Sequence, residues 1–562
     1  MTLTSIPETD THQGESSSSG QILPCEIWQT IIRDLPESTL WQLRELNRML
    51  YDVVLDEMLR CTSILLFGDL QTEQTIRLLE APGFAKRVRY LTIHNQALIA
   101  FQNRKLRLPM RFSKAHASWI KPGRHRSGRW GSDESIHREI YAPQNLLQSL
   151  GKMDGLCSVE LVGPCAWWDN HHKQWMAYCA GLDCIRDALR LSSNTLTRLS
   201  LAIPLSLLDG FLGRSGPELS SPSESSKPMF LPHLEEFALE LRRTLESTSL
   251  QDDAIQRLLG VTIPTFISRH LSLRALSFNV PPSLMPCLLL SPLFHALSSE
   301  NTTVLPYLRS FSITSPIVSV GMDDYENTVI GELDALAHFL QRYARQLTAI
   351  QLDLQVHRNT VPTINSSSLY YNFALPSAEK WFSHTLYNIS FSCLRSLDLS
   401  LMFYSTYPSY PRGATISTIS DYLRPIVERG MKTLKLRDYV FESQDEIGIL
   451  LNAFSFQERD GGLVELDLSV RYLSPPTLHL LAERFPRLEV LALTFEAWMP
   501  NELYFTKESA TVALASQPFV LVNTRDLIFP GRLVLMIPSS AGRNYNCCAS
   551  IAMANAMLSL CT

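Results

Sequence analysis

Leu394–Leu399 (LRSLDL), Met431–Leu436 (MKTLKL) and Leu463–Leu468 (LVELDL) share one form: apolar, two variable residues, apolar, one variable residue, apolar. The last two apolar positions stand two residues apart, the spacing that places side chains on one face of a strand, and the first leads in from the preceding turn. The form occurs again at Val88–Ile93 (VRYLTI), Leu156–Leu161 (LCSVEL), Leu196–Leu201 (LTRLSL) and Leu234–Leu239 (LEEFAL). Four further copies are Leu273–Phe278 (LRALSF), Leu308–Ile313 (LRSFSI), Leu347–Leu352 (LTAIQL) and Leu488–Leu493 (LEVLAL). Most starts fall roughly 25–47 residues apart. Helical patterns occupy intervals between them, at Leu182–Leu191, Leu333–Tyr343, Ile419–Val427 and Thr477–Arg484. One helix and one strand per unit, repeated, predicts an α/β solenoid with parallel strands on its concave side and helices on its convex side. Any α/β domain also sets apolar strands after helices, but eleven copies of one form make that the weaker reading.

Working outward, the solenoid is expected over residues 88–500, with insertions near 103–140 and 214–228. The first insertion (RKLRLPMRFSKAHASWIKPGRHRSGRW) is basic. A phosphate-binding patch is one reading; a solvated loop is preferred, because its aromatics are not regularly interleaved. The second (RSGPELSSPSESSKP) reads as a flexible loop with a Ser-Pro step. Residues 501–562 carry no copy of the form and read as an atypical C-terminal segment or as the cap that a solenoid needs. Residues 1–20 are polar and Ser-rich and read as a disordered tail. Residues 61–87 read as a connecting helix, with a helical pattern at Thr72–Leu79.

Residues 21–60 are of another kind. Leu23-Pro24 opens a helix, since proline fixes φ where a first turn can use it, and Glu26 suits the positive end of the helix dipole. Ile27, Ile31 and Leu35 recur at i, i+4, i+8, with Trp28 and Ile32 widening the stripe. Pro36 ends that helix, and Ser38 or Thr39 is placed to cap a second one. The second helix carries Leu40, Leu43 and Leu46, and a third carries Leu50, Val53, Val54 and Met58. Three helices in under forty residues cannot bury so much apolar surface among themselves. Some of it must face a partner or the next domain.

This stretch resembles an F-box. The residues that carry the resemblance are Leu23, Pro24, Glu26, Ile27, Ile31, Ile32, Leu35, Pro36, Leu40, Leu43, Arg44, Leu46 and Arg48. The chain departs from the family pattern at Asn47 and Leu50. A generic three-helix cap on a larger domain is the alternative. The repeated form, in turn, is similar to an irregular, long-unit leucine-rich repeat that lacks the asparagine usually completing each unit. Together the two resemble an F-box/leucine-rich-repeat protein, of the style found in large, divergent fungal families. The resemblance implies the substrate-recognition subunit of a Skp–cullin–F-box ubiquitin ligase. Its F-box would dock a Skp-type adaptor, and through it a cullin, by Leu23, Pro24, Ile27, Ile31, Leu35, Leu40, Leu43 and Leu46. The solenoid would hold a target protein, and the chain would perform no covalent step. A second function class is an interaction scaffold outside any ligase, its helices only sealing the first repeat.

Strand alternation selects the side chains between the buried ones as target-facing: Glu236, Glu240, Gln351, Asp353, Asp398, Lys435, Arg437, Glu465 and Asp467. Their mostly acidic mixture suggests a basic or mixed-charge target, or ordinary solvation of exposed positions.

Composition excludes little else. The net charge of -5 demands neither nucleic acid nor an acidic membrane surface. The N-terminus reads as neither signal peptide nor presequence, and no run approaches the roughly twenty apolar residues of a membrane span. A soluble cytosolic or nuclear protein is therefore expected. Eleven cysteines, irregularly spaced, read as reduced thiols. The segment with Cys157, Cys165, His171, His172, Cys179 and Cys184 lacks the paired, tightly spaced ligands of zinc. No G-x-S-x-G, Walker A or G-x-G-x-x-G run occurs. Asp252-Asp253 and Asp323-Asp324 read as solvated turns. No metal, cofactor or catalytic residue is expected.

Overall fold

Each of the eleven repeated segments is a strand in the computed structural model, and each strand pairs with its neighbours in chain order. The structure describes residues 25–64 (except 44, 45 and 47), 83–95, 152–163, 172–213, 229–242, 252–281, 288–300, 305–318, 325–356, 384–400, 412–454, 462–498, 520–522 and 531–536, with isolated positions between. The tail 1–20 and both insertions lie outside the described residues, as does most of Thr72–Leu79.

The strands are β1 (Cys61–Ile64), β2 (Tyr90–His94), β3 (Ser158–Val162), β4 (Arg198–Pro204), β5 (Glu236–Arg242) and β6 (Ala275–Asn279). They continue as β7 (Ser310–Val318), β8 (Ala349–Val356), β9 (Ser396–Ser400), β10 (Thr433–Phe441), β11 (Glu465–Leu473) and β12 (Val490–Trp498). All twelve pair parallel, in sequence order. Helices α1 (Cys25–Arg33), α2 (Glu37–Leu43) and α3 (Arg48–Arg60) precede the sheet. Between strands come α4 (His172–Leu191), α5 (Leu205–Leu212), α6 (Asp252–Arg257), α7 (Ile263–Ser268), α8 (Ser291–Ser298) and α9 (Tyr325–Tyr343). The last three are α10 (Arg412–Val427), α11 (Gln444–Leu451) and α12 (Pro475–Arg484). The expected helical patterns are the C-terminal parts of α4, α9, α10 and α12.

Register explains why the form repeats. The fourth residues of successive copies stand opposite one another, as in Phe237–Leu276–Phe311–Ile350–Leu397–Leu434. The sixth residues form a second row, Leu239–Phe278–Ile313–Leu352–Leu399–Leu436. Both rows are buried in one core shared with the interstrand helices. The first residue of every copy is buried too. A side chain so removed from water contributes about 1.5–3 kcal/mol, and each unit supplies three. Helix starts are locally encoded: Ser443 accepts from the Glu446 N–H at 3.2 Å, and Ser474 from the Thr477 N–H at 3.4 Å.

One region differs from the expectation. Residues 61–64, read as connecting helix, form β1, with Thr62 where later strands place an apolar residue (Thr62 opposite Leu91). Its hydroxyl donates to the Leu59 carbonyl at 2.8 Å, which satisfies the buried group without breaking the row. At the other end, β13 (Val520–Val522) and β14 (Gly531–Met536) extend the sheet to fourteen strands, β14 lying antiparallel between β12 and β13. The C-terminal segment therefore covers the last repeat edge, the role that a cap fills.

Asn95, wholly buried, is a polar residue in the core of the first repeats. Its amide donates to the carbonyls of Gly163 (3.1 Å) and Ala202 (2.6 Å), and its Oδ1 accepts from the Tyr178 hydroxyl (3.0 Å). One side chain thus ties three successive units together. Asn95→Ala removes three hydrogen bonds of a buried side chain, and is expected to cost about 1–3 kcal/mol. Equilibrium urea unfolding checks this, and a change within error of zero would refute the tie.

Candidate functional site

The N-terminal helices carry a small core of their own, distinct from that of the sheet: Ile32, Leu40, Leu50, Val53 and Val54, with Trp28, Leu35, Leu43, Met49 and Met58 partly buried against it. On α1 the inward strip is Trp28–Ile32, one turn apart. Ile27 and Ile31, equally one turn apart, face outward at 46% and 38% exposure. Leu46 is 67% exposed. The eight residues expected to dock an adaptor therefore separate. Ile27, Ile31 and Leu46 are open; Leu35 and Leu43 are half-buried; Leu40 belongs to the helical core, which corrects its expected place on the docking face. Leu23 and Pro24 lie outside the described residues. Periodicity could not make this division, because apolar residues occupy two adjacent strips of α1.

The helical unit is fastened to the sheet through α3, which runs directly into β1. Arg87 spans α3, meeting Asp52 at 3.0 Å and Asp56 at 2.6 Å and donating to the Asp52 carbonyl at 3.1 Å. The Arg60 guanidinium lies 5.5 Å from the Tyr90 ring centroid.

On the sheet, the residues expected to face a target alternate with the buried rows, but few present free charge. Glu236 pairs with Arg198 of the neighbouring strand at 3.4 Å, and Glu240 pairs with Arg242 on its own strand. Gln351 accepts from Ser312 at 3.0 Å. Lys435 meets Glu465 at 2.6 Å, and Arg437 meets Asp398 at 2.5 Å. Asp353 and Asp467 are half-buried. Asp398 was expected to be exposed and is instead 9% accessible. Burial pushes its carboxyl above the usual range, against the opposing pull of Arg437 and Lys435. The acidic excess of the row is thus offset largely within the sheet.

Other titratable groups serve the fold. Glu332 on α9 accepts from the backbone N–H groups of Leu290 (2.7 Å) and Ser291 (2.9 Å), capping α8; burial raises its pKa. His384 contacts Asp334 at 3.1 Å, but its Nδ1 accepts from the Leu386 N–H at 3.1 Å, which leaves no ring nitrogen to act as a base. Among the described residues, no three His, Cys, Asp or Glu side chains converge on a metal position. Cys157, Cys179 and Cys184 are half-buried thiols. Burial, seconded by nearby aspartates, raises the pKa of the latter two, whereas a ligand or nucleophile requires the thiolate. Cys165 and His171 lie outside the described residues. No described helix is long and apolar enough to cross a membrane.

No protein-family model matches the chain, and no curated protein matches it.

Proposed function

We propose that this chain is the substrate-recognition subunit of a Skp–cullin–F-box ubiquitin ligase, its N-terminal helices acting as an F-box and its solenoid, of leucine-rich-repeat type, holding the target. The observation that carries the reading is the outward strip Ile27–Ile31, with Leu46, on a helical unit that already has its own core. A cap would turn such residues inward, whereas an adaptor-docking module keeps apolar anchors open. The chain contributes proximity: a ubiquitin-conjugating enzyme elsewhere in the assembly would meet a target held on the sheet. The proposed partners are a Skp-type adaptor, a cullin through it, and a protein target, with no cofactor and no catalytic residue in this chain. A cytosolic or nuclear location accords with that assembly.

The scaffold reading is favoured by a different observation, the Arg87 clamp that seats α3 on the first strands. One experiment separates the two. Full-length protein is co-expressed with a Skp-type adaptor and compared with the Ile27→Asp/Ile31→Asp double variant. Both side chains are exposed, so folding is spared, and the expected loss is about thirtyfold or more in adaptor affinity. Absence of a complex with well-folded wild type would leave the scaffold. Leu35→Asp and Leu43→Asp are poorer probes, because both side chains also support the helical core.

A further inference from the structure

The turns leading into β6–β10 carry cations almost alone. In the five segments 269–274, 305–309, 344–348, 391–395 and 428–432 stand Arg269, Arg274, Arg309, Arg345, Arg395, Arg429 and Lys432, against the single carboxylate Glu428. Backbone bonding aligns four of them, Arg274, Arg309, Arg395 and Lys432. The second residue of each repeat donates its N–H to the carbonyl of the second residue of the preceding one: Arg309 to Arg274 (2.8 Å), Thr348 to Arg309 (2.7 Å), Arg395 to Thr348 (2.8 Å), Lys432 to Arg395 (2.7 Å). At about 4.8 Å per strand, the row spans about 19 Å. The turn before β4 is neutral and that before β5 carries Glu235, so the run of cationic turns starts at β6; the turn before β2 is also cationic, with Lys86, Arg87 and Arg89, but stands apart from this run.

Helix C-termini converge on the same rim, and cations there offset the carbonyl dipoles. That role accounts for Arg395, bonded to the Gly430 carbonyl at 3.0 Å, and for Arg429, bonded to the Phe391 carbonyl at 3.1 Å. Arg274 is engaged by Glu235 at 3.5 Å. Arg269, the C-cap of α7, and Arg345, two residues past α9, also stand at helix ends, but with Arg309 they are exposed and their guanidinium groups bond no carbonyl or carboxylate among the described residues. Between them project Tyr307, 57% exposed, and Leu271, 47% exposed.

We infer that this rim is a binding surface for an acidic, extended protein segment. A backbone advancing roughly 3.3 Å per residue lays about six residues along the row, so that about three carboxylates on its facing side lie within reach of guanidinium groups, whose planar fork suits carboxylate. The exposed Tyr307 and Leu271 add apolar contact, which a bare polyanion would not use. The inference concerns the edge of the sheet and does not depend on adaptor docking.

The test uses the full chain, a fluorescent ten-residue polyglutamate peptide, and a ten-residue oligothymidylate as the nucleic-acid alternative. Fluorescence anisotropy is read in low and in physiological salt for wild type, for Arg269→Ser/Arg309→Ser/Arg345→Ser, and for a control that removes the same charge elsewhere, Lys86→Ser/Lys152→Ser/Arg484→Ser. The expected result is salt-sensitive peptide binding that weakens by about tenfold in the rim variant and not in the control. Absence of peptide binding, or equal losses in both variants, would overturn the inference. Tighter rim-dependent binding of the oligonucleotide would assign the surface to nucleic acid instead.

Discussion

Between pH 7 and pH 4 the wild-type protein is expected to lose about 3 kcal/mol of stability that a His270→Leu variant does not lose. His270 is 1% exposed. Its Nδ1–H donates to the Phe266 carbonyl at 2.6 Å, and its Nε2 accepts from the Leu231 N–H at 3.1 Å. Phe266 lies 4.3 Å away, ring to ring, and Phe230 stacks at 5.8 Å. Both nitrogens are committed, so a second proton must break the bond from Leu231 inside an apolar site. Burial accordingly lowers the pKa from 6.5 to about 4. The unfolded chain protonates this histidine first as pH falls. Stability is whole above the unfolded value near 6.5, declines between there and about 4, and does not change further below. About 2 kcal/mol of the loss should be present at pH 5. The variant starts lower at neutral pH, because the Leu231 N–H is left unpaired, but the difference between the two proteins should shrink on acidification. Urea unfolding at several pH values reads this; a pH-independent difference would exclude His270 as the acid-sensitive group. Amide exchange should place the loosening in the turns before β5 and β6, which the ring joins.

Phe311→Ala is expected to cost about 3–5 kcal/mol. Phe311 is fully buried at the centre of the sheet, 4.9 Å from Phe339, 6.1 Å from Phe294 and 6.4 Å from Phe278, ring to ring. These partners come from α9, α8 and β6 respectively, so the truncation opens a cavity shared by successive repeats. In a solenoid each unit leans only on its neighbours. The damage should therefore appear as a break within the array, with limited proteolysis cutting between β6 and β8 while β10–β12 stay protected. A loss below about 1 kcal/mol would mean that the site collapses to fill the space.

On the candidate surfaces, the sequence could nominate but not sort. Ile27, Ile31, Leu35, Leu40 and Leu43 all satisfy a helical apolar period, and nothing local distinguishes Leu40, in the helical core, from Ile31, at its surface. Asp398 and Arg437 look alike as outward strand positions, yet one is nearly buried and holds the other at 2.5 Å. The basic rim was hidden because its members are spread through the chain, Arg309 standing 35 positions after Arg274 and Arg395 a further 86 on; only the backbone ladder brings such residues into one row.

By itself, the sequence determined where eleven strands lie and which apolar rows on them are buried. A strand buried on one face needs apolar residues two apart, and that demand is met within six consecutive residues whatever surrounds them. Tertiary structure alone decided the rest. Strand β1 exists because the edge of β2 offers hydrogen bonds that Cys61–Ile64 can fill, its Thr62 satisfied by the Leu59 carbonyl. The β13–β14 pair exists because the last repeat leaves an edge to be paired. Asn95 is a core residue only because carbonyls of two later repeats come within reach of its amide. Each of these depends on groups distant in the chain, and hydrogen bonds and ion pairs, unlike burial of a periodic face, are specified by the partner as much as by the residue.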